Sequence, residues 1–251
     1  MKPLAEIKPP PDRLYGRQRT HALRPRQVLL LGETLPRMRF TTPADPASGF
    51  AAPVSQVWLE VGFGGGEHAA ALAAANPEVG LIAAEVFEQG LCSLLASLVP
   101  EGGEANAALP ANLRIWDDDG RALLRCLPEG SLDRLYLMFP DPWPKARHAK
   151  RRFIHPDIVA LVASRLKSGA EWRAASDDPT YQAWTAEVMA AQGAFAMETF
   201  AERPEGWPGT RYEAKALRAG RIVVYWVFRR KYGSKDSSFS EEKEAKRLFD
   251  G

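Results

Sequence analysis

The stretch Leu59-Glu60-Val61-Gly62-Phe63-Gly64-Gly65-Gly66-Glu67-His68, LEVGFGGGEH, decides the fold. Val57-Trp58 precede it and the alanine-rich run AAALAAANP (69–77) follows. A short apolar run that stops at glycines reads as a buried strand over 57–62 entering a turn. Alanine has the highest helix propensity, and Asn76-Pro77 ends the run, so 67–77 reads as a helix. Strand, glycine turn and helix form the first crossover of an open α/β sheet. Such sheets bind ligands beyond the carboxyl ends of their strands.

Outward from this unit the same alternation continues. Strands are predicted over 79–86, 112–116, 132–139, 171–176, 194–200 and 221–230. Helices are predicted over 88–99, 121–127, 155–169 and 180–193, the third with Pro156 just inside its start and Gly169 just past its end. Residues 101–109 and 201–220 read as loops. A loop rather than a helix before the last strand makes that strand antiparallel. The expectation is an α/β, doubly wound, mostly parallel seven-stranded sheet with one antiparallel strand.

The 251 residues suit one domain with attachments: a basic N-terminal arm (1–50), a ligand-binding domain (51–232) and a polar C-terminal tail (233–251). The arm is rich in Pro and Arg and is expected to hold one short helix near Arg26–Leu35. The net charge of +2 excludes nothing by itself, but the distribution is uneven. Lys2, Lys8, Arg13, Arg17, Arg19, Arg24 and Arg26 face only Glu6 and Asp12 in the first thirty residues, and Lys145, Arg147, Lys150, Arg151 and Arg152 form a second cluster. Local charge of this kind attracts a polyanion. Cys92 and Cys126 sit in apolar helical contexts and read as small buried hydrophobes. There is no disulfide framework and no thiolate site. His148 and His155 lack a third ligand at useful spacing, so no metal is expected. No apolar run reaches the roughly 18–20 residues of a membrane span, and prolines and charges stand where a signal peptide would be apolar. A cytoplasmic location follows.

The glycine turn does not fit a dinucleotide. In G-x-G-x-x-G register Glu67 replaces the third glycine, and an acid there would repel a pyrophosphate seeking the helix N-terminus. Glu60-x-Gly62-x-Gly64-x-Gly66 fits better. It resembles the first motif of S-adenosylmethionine-dependent methyltransferases, whose cofactor is cationic and carries no phosphate. Glu85, at the end of the second strand, suits the ribose hydroxyls. Asp119 in WDDDG (116–120) suits the adenine end. A glycine run alone would also fit an ordinary turn; three successive strand ends, each with an acid, favour the cofactor.

The fourth strand runs into FPDPWPKARHAKRRF (139–153). Asp141 is held between Pro140 and Pro142, which restrict their neighbours and pre-order the loop. Trp143 offers a stacking surface for a planar base. This stretch resembles the signature of the bacterial tRNA (guanine-N7-)-methyltransferase family. LEVGFGGG, AEVF (84–87) and GTRYEAK (209–215) fall in the same order, and RLYGRQRTHALRPRQ (13–27) is loosely similar. The resemblance spans about 55–230 and implies a Rossmann-like methyltransferase fold. It implies S-adenosyl-L-methionine on Glu60, Gly62, Gly64, Gly66, Glu85, Asp119 and Asp141, with Asp141 as the catalytic residue. It implies substrate contacts at Lys145, Asp177, Thr210, Arg211, Tyr212 and Glu213. The implied product is 7-methylguanosine in tRNA, at guanine 46 of the variable loop. One departure stands out: Ser176-Asp177-Asp178 occurs where the family has Thr-Asp-Trp or Thr-Asp-Asn.

Other readings stay open at this stage. Glu213 also fits a simple ion pair with Arg211 or Lys215, and Tyr212 fits the core. A methyltransferase for a small molecule or protein, and a non-catalytic RNA-binding homologue, remain as alternatives. The sequence leaves monomer and homodimer equally open.

Overall fold

Five of the six residues of the first strand, β1 (Gln56–Val61), are buried, as are all six of β2 (Val79–Ala84). Strands buried on both faces belong inside a parallel sheet covered by helices. Alternate residues of β1 serve opposite faces: Leu59 joins the core with Ile82, Leu135 and Trp172, while Trp58 joins the one with Leu81, Ile115 and Tyr136. The computed structural model describes residues 22–232. The basic residues expected in 1–21 and the tail 233–251 lie outside the described residues.

The remaining strands are β3 (Leu113–Trp116), β4 (Leu132–Met138), β5 (Leu166–Ser176), β6 (Phe195–Phe200) and β7 (Val224–Arg230), in the order β3-β2-β1-β4-β5-β7-β6. All pairings are parallel except those of β7 with β5 and β6. The helices are α1 (Pro25–Leu29), α2 (Leu35–Met38), α3 (Glu67–Ala75), α4 (Glu88–Leu98), α5 (Gly120–Cys126), α6 (Pro156–Arg165), α7 (Pro179–Ala190) and α8 (Arg211–Arg218). The strand order reverses between β1 and β4, which places the switch point beside the glycine turn.

Three expectations are corrected. The helix predicted over 155–169 stops at Arg165, and β5 begins at once. Leu166 is buried opposite Leu132, and the register then slips so that Arg134 faces Glu171. Gly169, with φ of +79°, lies in this bulge and caps no helix. The loop predicted over 201–220 contains α8, opened by a capping box in which Thr210 and Glu213 bond each other's backbone N–H. The short helix expected near Arg26–Leu35 is present, as a helical run from Pro25 to Met38 with a π-helical turn at Leu30–Thr34 that buries Leu30, Leu35 and Met38 against the sheet. Cys92 is buried as expected, but Cys126 is exposed at the end of α5.

Candidate active site

A cavity of about 640 Å³ opens at the carboxyl ends of β1, β2 and β4. Gly62, Gly64, Glu85, Asp119, Asp141 and Trp143 line it. Its size falls in the range of small-molecule sites. A second cavity of about 530 Å³ lies under the 201–207 segment against α8 and shares no wall with the first.

Close backbone packing builds the glycine wall. Gly62 and Gly64 have φ of +72° and +61°, and the space above Gly62 is open. Gly64 N–H donates to Glu85 Oε2 at 2.8 Å, while Val86 and Phe87 N–H donate to Oε1 at 2.7 and 3.0 Å. Burial raises the Glu85 pKa, and these three N–H groups oppose that rise. A Cβ on Gly90 of α4 would come within 2.2 Å of Gly64 O, so that helix position admits no side chain without a shift. Gly66, expected on the cofactor, faces α4: a Cβ there would meet Leu94 at 2.5 Å.

Glu60 lies beneath the loop, outside the cavity wall. Its Oε1 is 3.0 Å from His68 Nδ1, and both side chains are 2 % exposed. Glu60 Oε2 and His68 Nε2 are buried without hydrogen-bond partners. Burial alone would lower the His68 pKa, but Glu60 overrides it and the net shift is upward. Asp119 caps α5 through Arg121 N–H at 2.9 Å and takes the Arg121 guanidinium on both carboxylate oxygens.

The opposite wall is the proline loop. Phe139 and Trp143 bracket it with φ of +52° and +42°, uncommon for residues other than glycine. Asp141 stands at the rim, where partial removal from water raises its pKa. Arg151 lies 4.8 Å over the Trp143 ring, and His148 meets that ring edge-on at 5.8 Å. Tyr212 completes the mouth: it is 43 % exposed, so it is not core, and its ring lies 3.0 Å from where a Gly64 Cβ would be.

The other residues expected on the substrate do not line this cavity. Lys145 is exposed beyond the rim. Asp177 pairs with Arg221 at 2.7 Å. Asp178, the departure noted in the sequence, is the N-cap of α7 and accepts from Tyr181 N–H at 2.9 Å. Arg211 N–H donates to Glu67 at 3.1 Å. Glu213 is buried and accepts from Tyr225 OH at 2.5 Å and pairs with Arg203 at 3.1 Å, not with Arg211 or Lys215. Sequence reasoning missed Gly90, Arg121 and His68. His68 carried a weak signal, a histidine at the second position of the helix that follows the Glu60 strand; the other two carried none that is local.

A family model described as "Putative methyltransferase" matches residues 55–225. The chain is 63 % identical over 227 residues to a tRNA (guanine-N(7)-)-methyltransferase of Granulibacter bethesdensis, covering 90 % of this chain and 98 % of that one. It is 46 % identical over 228 residues to the protein of the same name from Paramagnetospirillum magneticum, covering 87 % and 93 %. Among solved structures it is similar to the 16S rRNA methyltransferase KamB, with a TM-score of 0.50, 16 % identity and coverage of 71 % and 89 %. That likeness supports the fold alone. No helix among the described residues is long and apolar enough to cross a membrane, and none of their acidic, histidine and cysteine side chains form a metal-holding group.

Proposed function

The chain belongs to the tRNA (guanine-N7-)-methyltransferase family, and on that premise we propose that it transfers a methyl group from S-adenosylmethionine to N7 of a guanine in tRNA, at position 46 of the variable loop. The observation that carries the reading is a shared cavity: Asp141 and Trp143 on the proline loop open into the same space as Gly62, Gly64, Glu85 and Asp119. The wall suits a cationic, phosphate-free cofactor. It presents carboxylates, a close backbone approach at two positive-φ glycines, and below it an orphaned buried oxygen, Glu60 Oε2. When bound, S-adenosylmethionine supplies an electrophilic methyl group on a sulfonium. Glu85 would hold the ribose hydroxyls, Asp119 the adenine, and Gly62 and Gly64 the methionine end, with Glu60 acting by its charge from beneath the loop and Gly66 fixing the loop on α4.

The acceptor atom sets what the chain must do. Guanine N7 has an in-plane lone pair and loses no proton on attack, so no general base is needed. Positioning does most of the work. Asp141 orients the base and stabilises the positive charge that develops on it. Trp143 and Tyr212 receive the ring at the mouth. Lys145, Arg147 and Lys150, together with the basic residues of 1–50, hold phosphates, which fix register rather than read sequence. Asp177, Thr210, Arg211 and Glu213 act on the substrate after exchange of the ion pairs and caps described above, or through the backbone they fix. The division into an arm (1–50), a methyltransferase domain (51–232) and a tail (233–251), and action in the cytoplasm, belong to the same reading.

The test incubates the protein with methyl-labelled S-adenosylmethionine and unmodified tRNA transcripts, then cleaves chemically at 7-methylguanine. Label at one variable-loop guanine is expected, and Asp141→Ala should lower kcat by about 10²–10³-fold. Wild-type activity should fall with acid as Asp141 protonates, at a pH above its ordinary 3.8 because that pKa is raised. Cofactor binding without label on any tRNA would move the acceptor to a small molecule or protein.

A further inference from the structure

Arg152 ends the cluster of positive charge at 145–152, and the sequence groups it with its neighbours as a phosphate contact. The structure separates it from them. Lys145 and Arg147 are exposed, while Arg152 is 3 % exposed. Its Nε donates to Pro142 O at 3.1 Å and its Nη2 to Trp143 O at 3.0 Å. The guanidinium lies 4.9 Å over the Trp184 ring of α7, and its burial lowers its pKa. Its own N–H closes the short 3-10 turn Ala146–Arg151 on Ala149 O at 3.0 Å. The chain thus leaves the loop, turns once and returns to bind it.

The loop has need of such a support. Pro140, Pro142 and Pro144 have no N–H, so the segment cannot enter a ladder beyond Phe139 N–H to Ala175 O at 2.9 Å. Left-handed Phe139 and Trp143 persist only where the surroundings over-determine them. A planar fork satisfies two successive carbonyls at once; an ammonium, a single point on a flexible stem, does not reproduce that geometry. Behind the fork the chain is fastened to α7: Ile154 N–H donates to Tyr181 OH at 3.2 Å, and Trp184 Nε1 donates to Ile154 O at 2.5 Å. Helix α7 begins at Pro179, just after Asp177 and the N-cap Asp178.

We propose that Arg152 is the positioning residue of the proline loop: its buried fork sets Asp141 and Trp143 against the cofactor cavity, and it makes no contact with RNA. This rests on the assignment of Asp141 and Trp143 to the reacting site.

The test compares Arg152→Lys with Arg147→Ala in the full-length protein. Single-turnover methyl transfer at saturating cofactor and tRNA should fall by roughly 100-fold in Arg152→Lys, because a small misplacement of reacting groups costs that much. Its cofactor Kd should stay within about 3-fold, and the salt dependence of its tRNA affinity should be unchanged. Arg147→Ala, which removes an exposed phosphate contact, should instead weaken tRNA binding and lose about one unit of salt slope. Trypsin cleavage after Lys145 and Arg147 reads the order of the loop without any methyl transfer, and it should accelerate in Arg152→Lys. That arm separates the two ideas: faster cleavage with an inactive wild type would leave the clamp standing and remove the tRNA reading. A saturated rate kept with the slope reduced would make Arg152 a phosphate contact and overturn the proposal. Unchanged cleavage, or a rate loss matched by an equal loss of cofactor affinity, would also overturn it. Arg152→Gln, judged by the same criteria, replaces the lysine variant if that one does not fold.

Discussion

The glycine wall of the cavity and the surface beside the cavity, toward α8 and β7, are built by different means. On the β1–β2–α4 side, backbone packs on backbone: Gly64 O against Gly90, Gly66 against Leu94, and three N–H groups on one buried carboxylate. On the α8 and β7 side Glu213 is buried, but other charged groups pair near the surface, as in Arg221 with Asp177 and Arg211 with Glu67. Contacts of the first kind are costly to disturb. Exposed ion pairs contribute only about 0–1 kcal/mol and are screened by salt. A polyanion can therefore exchange with the second set without unfolding the first. Under the proposed function, the cofactor side comes finished and the acceptor side is left for its substrate to complete.

The comparison breaks most sharply at His68. Removing it in His68→Leu leaves Glu60 buried without its partner, at a cost of about 3 kcal/mol in urea unfolding. The sign with pH follows from the raised pKa. The stabilising contribution is fully present below the ordinary 6.5 and is lost as pH rises through the folded value. Wild-type stability should decline across that alkaline window, and His68→Gln should not show the decline; a flat wild-type profile would mean that Glu60 does not hold the proton there. Glu67 and Glu213 also bear on this ring and add to the same direction.

Gly90→Ala comes next. The added methyl must displace the glycine loop, an overpacking worth about 2 kcal/mol. Calorimetry should show cofactor Kd rising by about 30-fold, tRNA affinity being retained. Unaltered cofactor affinity would show that this wall yields, and the contrast between the two sides would be lost. Arg221→Ala should have the smallest effect. It frees Asp177 at the surface, and stability should move by less than about 1 kcal/mol with cofactor binding unchanged. A larger loss would make the acceptor side as rigid as the other.

The alternation of strands and helices was legible because hydrophobic period, glycine and proline act locally. The acids that close β2 and approach α5 were legible for the same reason. What each acid pairs with was not: Glu60 meets a histidine across the glycine loop, Asp177 an arginine from the approach to β7, and Glu213 a tyrosine of β7. Only the folded sheet brings these together. The start of β5 was missed because Leu166-Lys167-Ser168 continues the periodicity of α6, and the deciding contact is the distant Leu132. Helix α8 was missed although Thr210-x-x-Glu213 spells a capping box, because its charged sequence carries little apolar signal. The uniform run of charge hid a buried member, since residue type gives no hint that Arg152 turns inward.

The helical segment before the sheet also bears on how the chain is made. Arg26 and Thr34 bind Glu104, Arg39 binds Asp117, and Phe40 N–H binds Ile115 O. Every one of these partners is translated well after the segment itself. At typical elongation speeds the interval is on the order of ten seconds, during which Leu30, Leu35 and Met38 lack part of the surface they cover. The N-terminal helices are thus a late strap on a sheet that must nucleate elsewhere, and the nascent chain carries an incompletely sheltered apolar stripe until β3 leaves the ribosome.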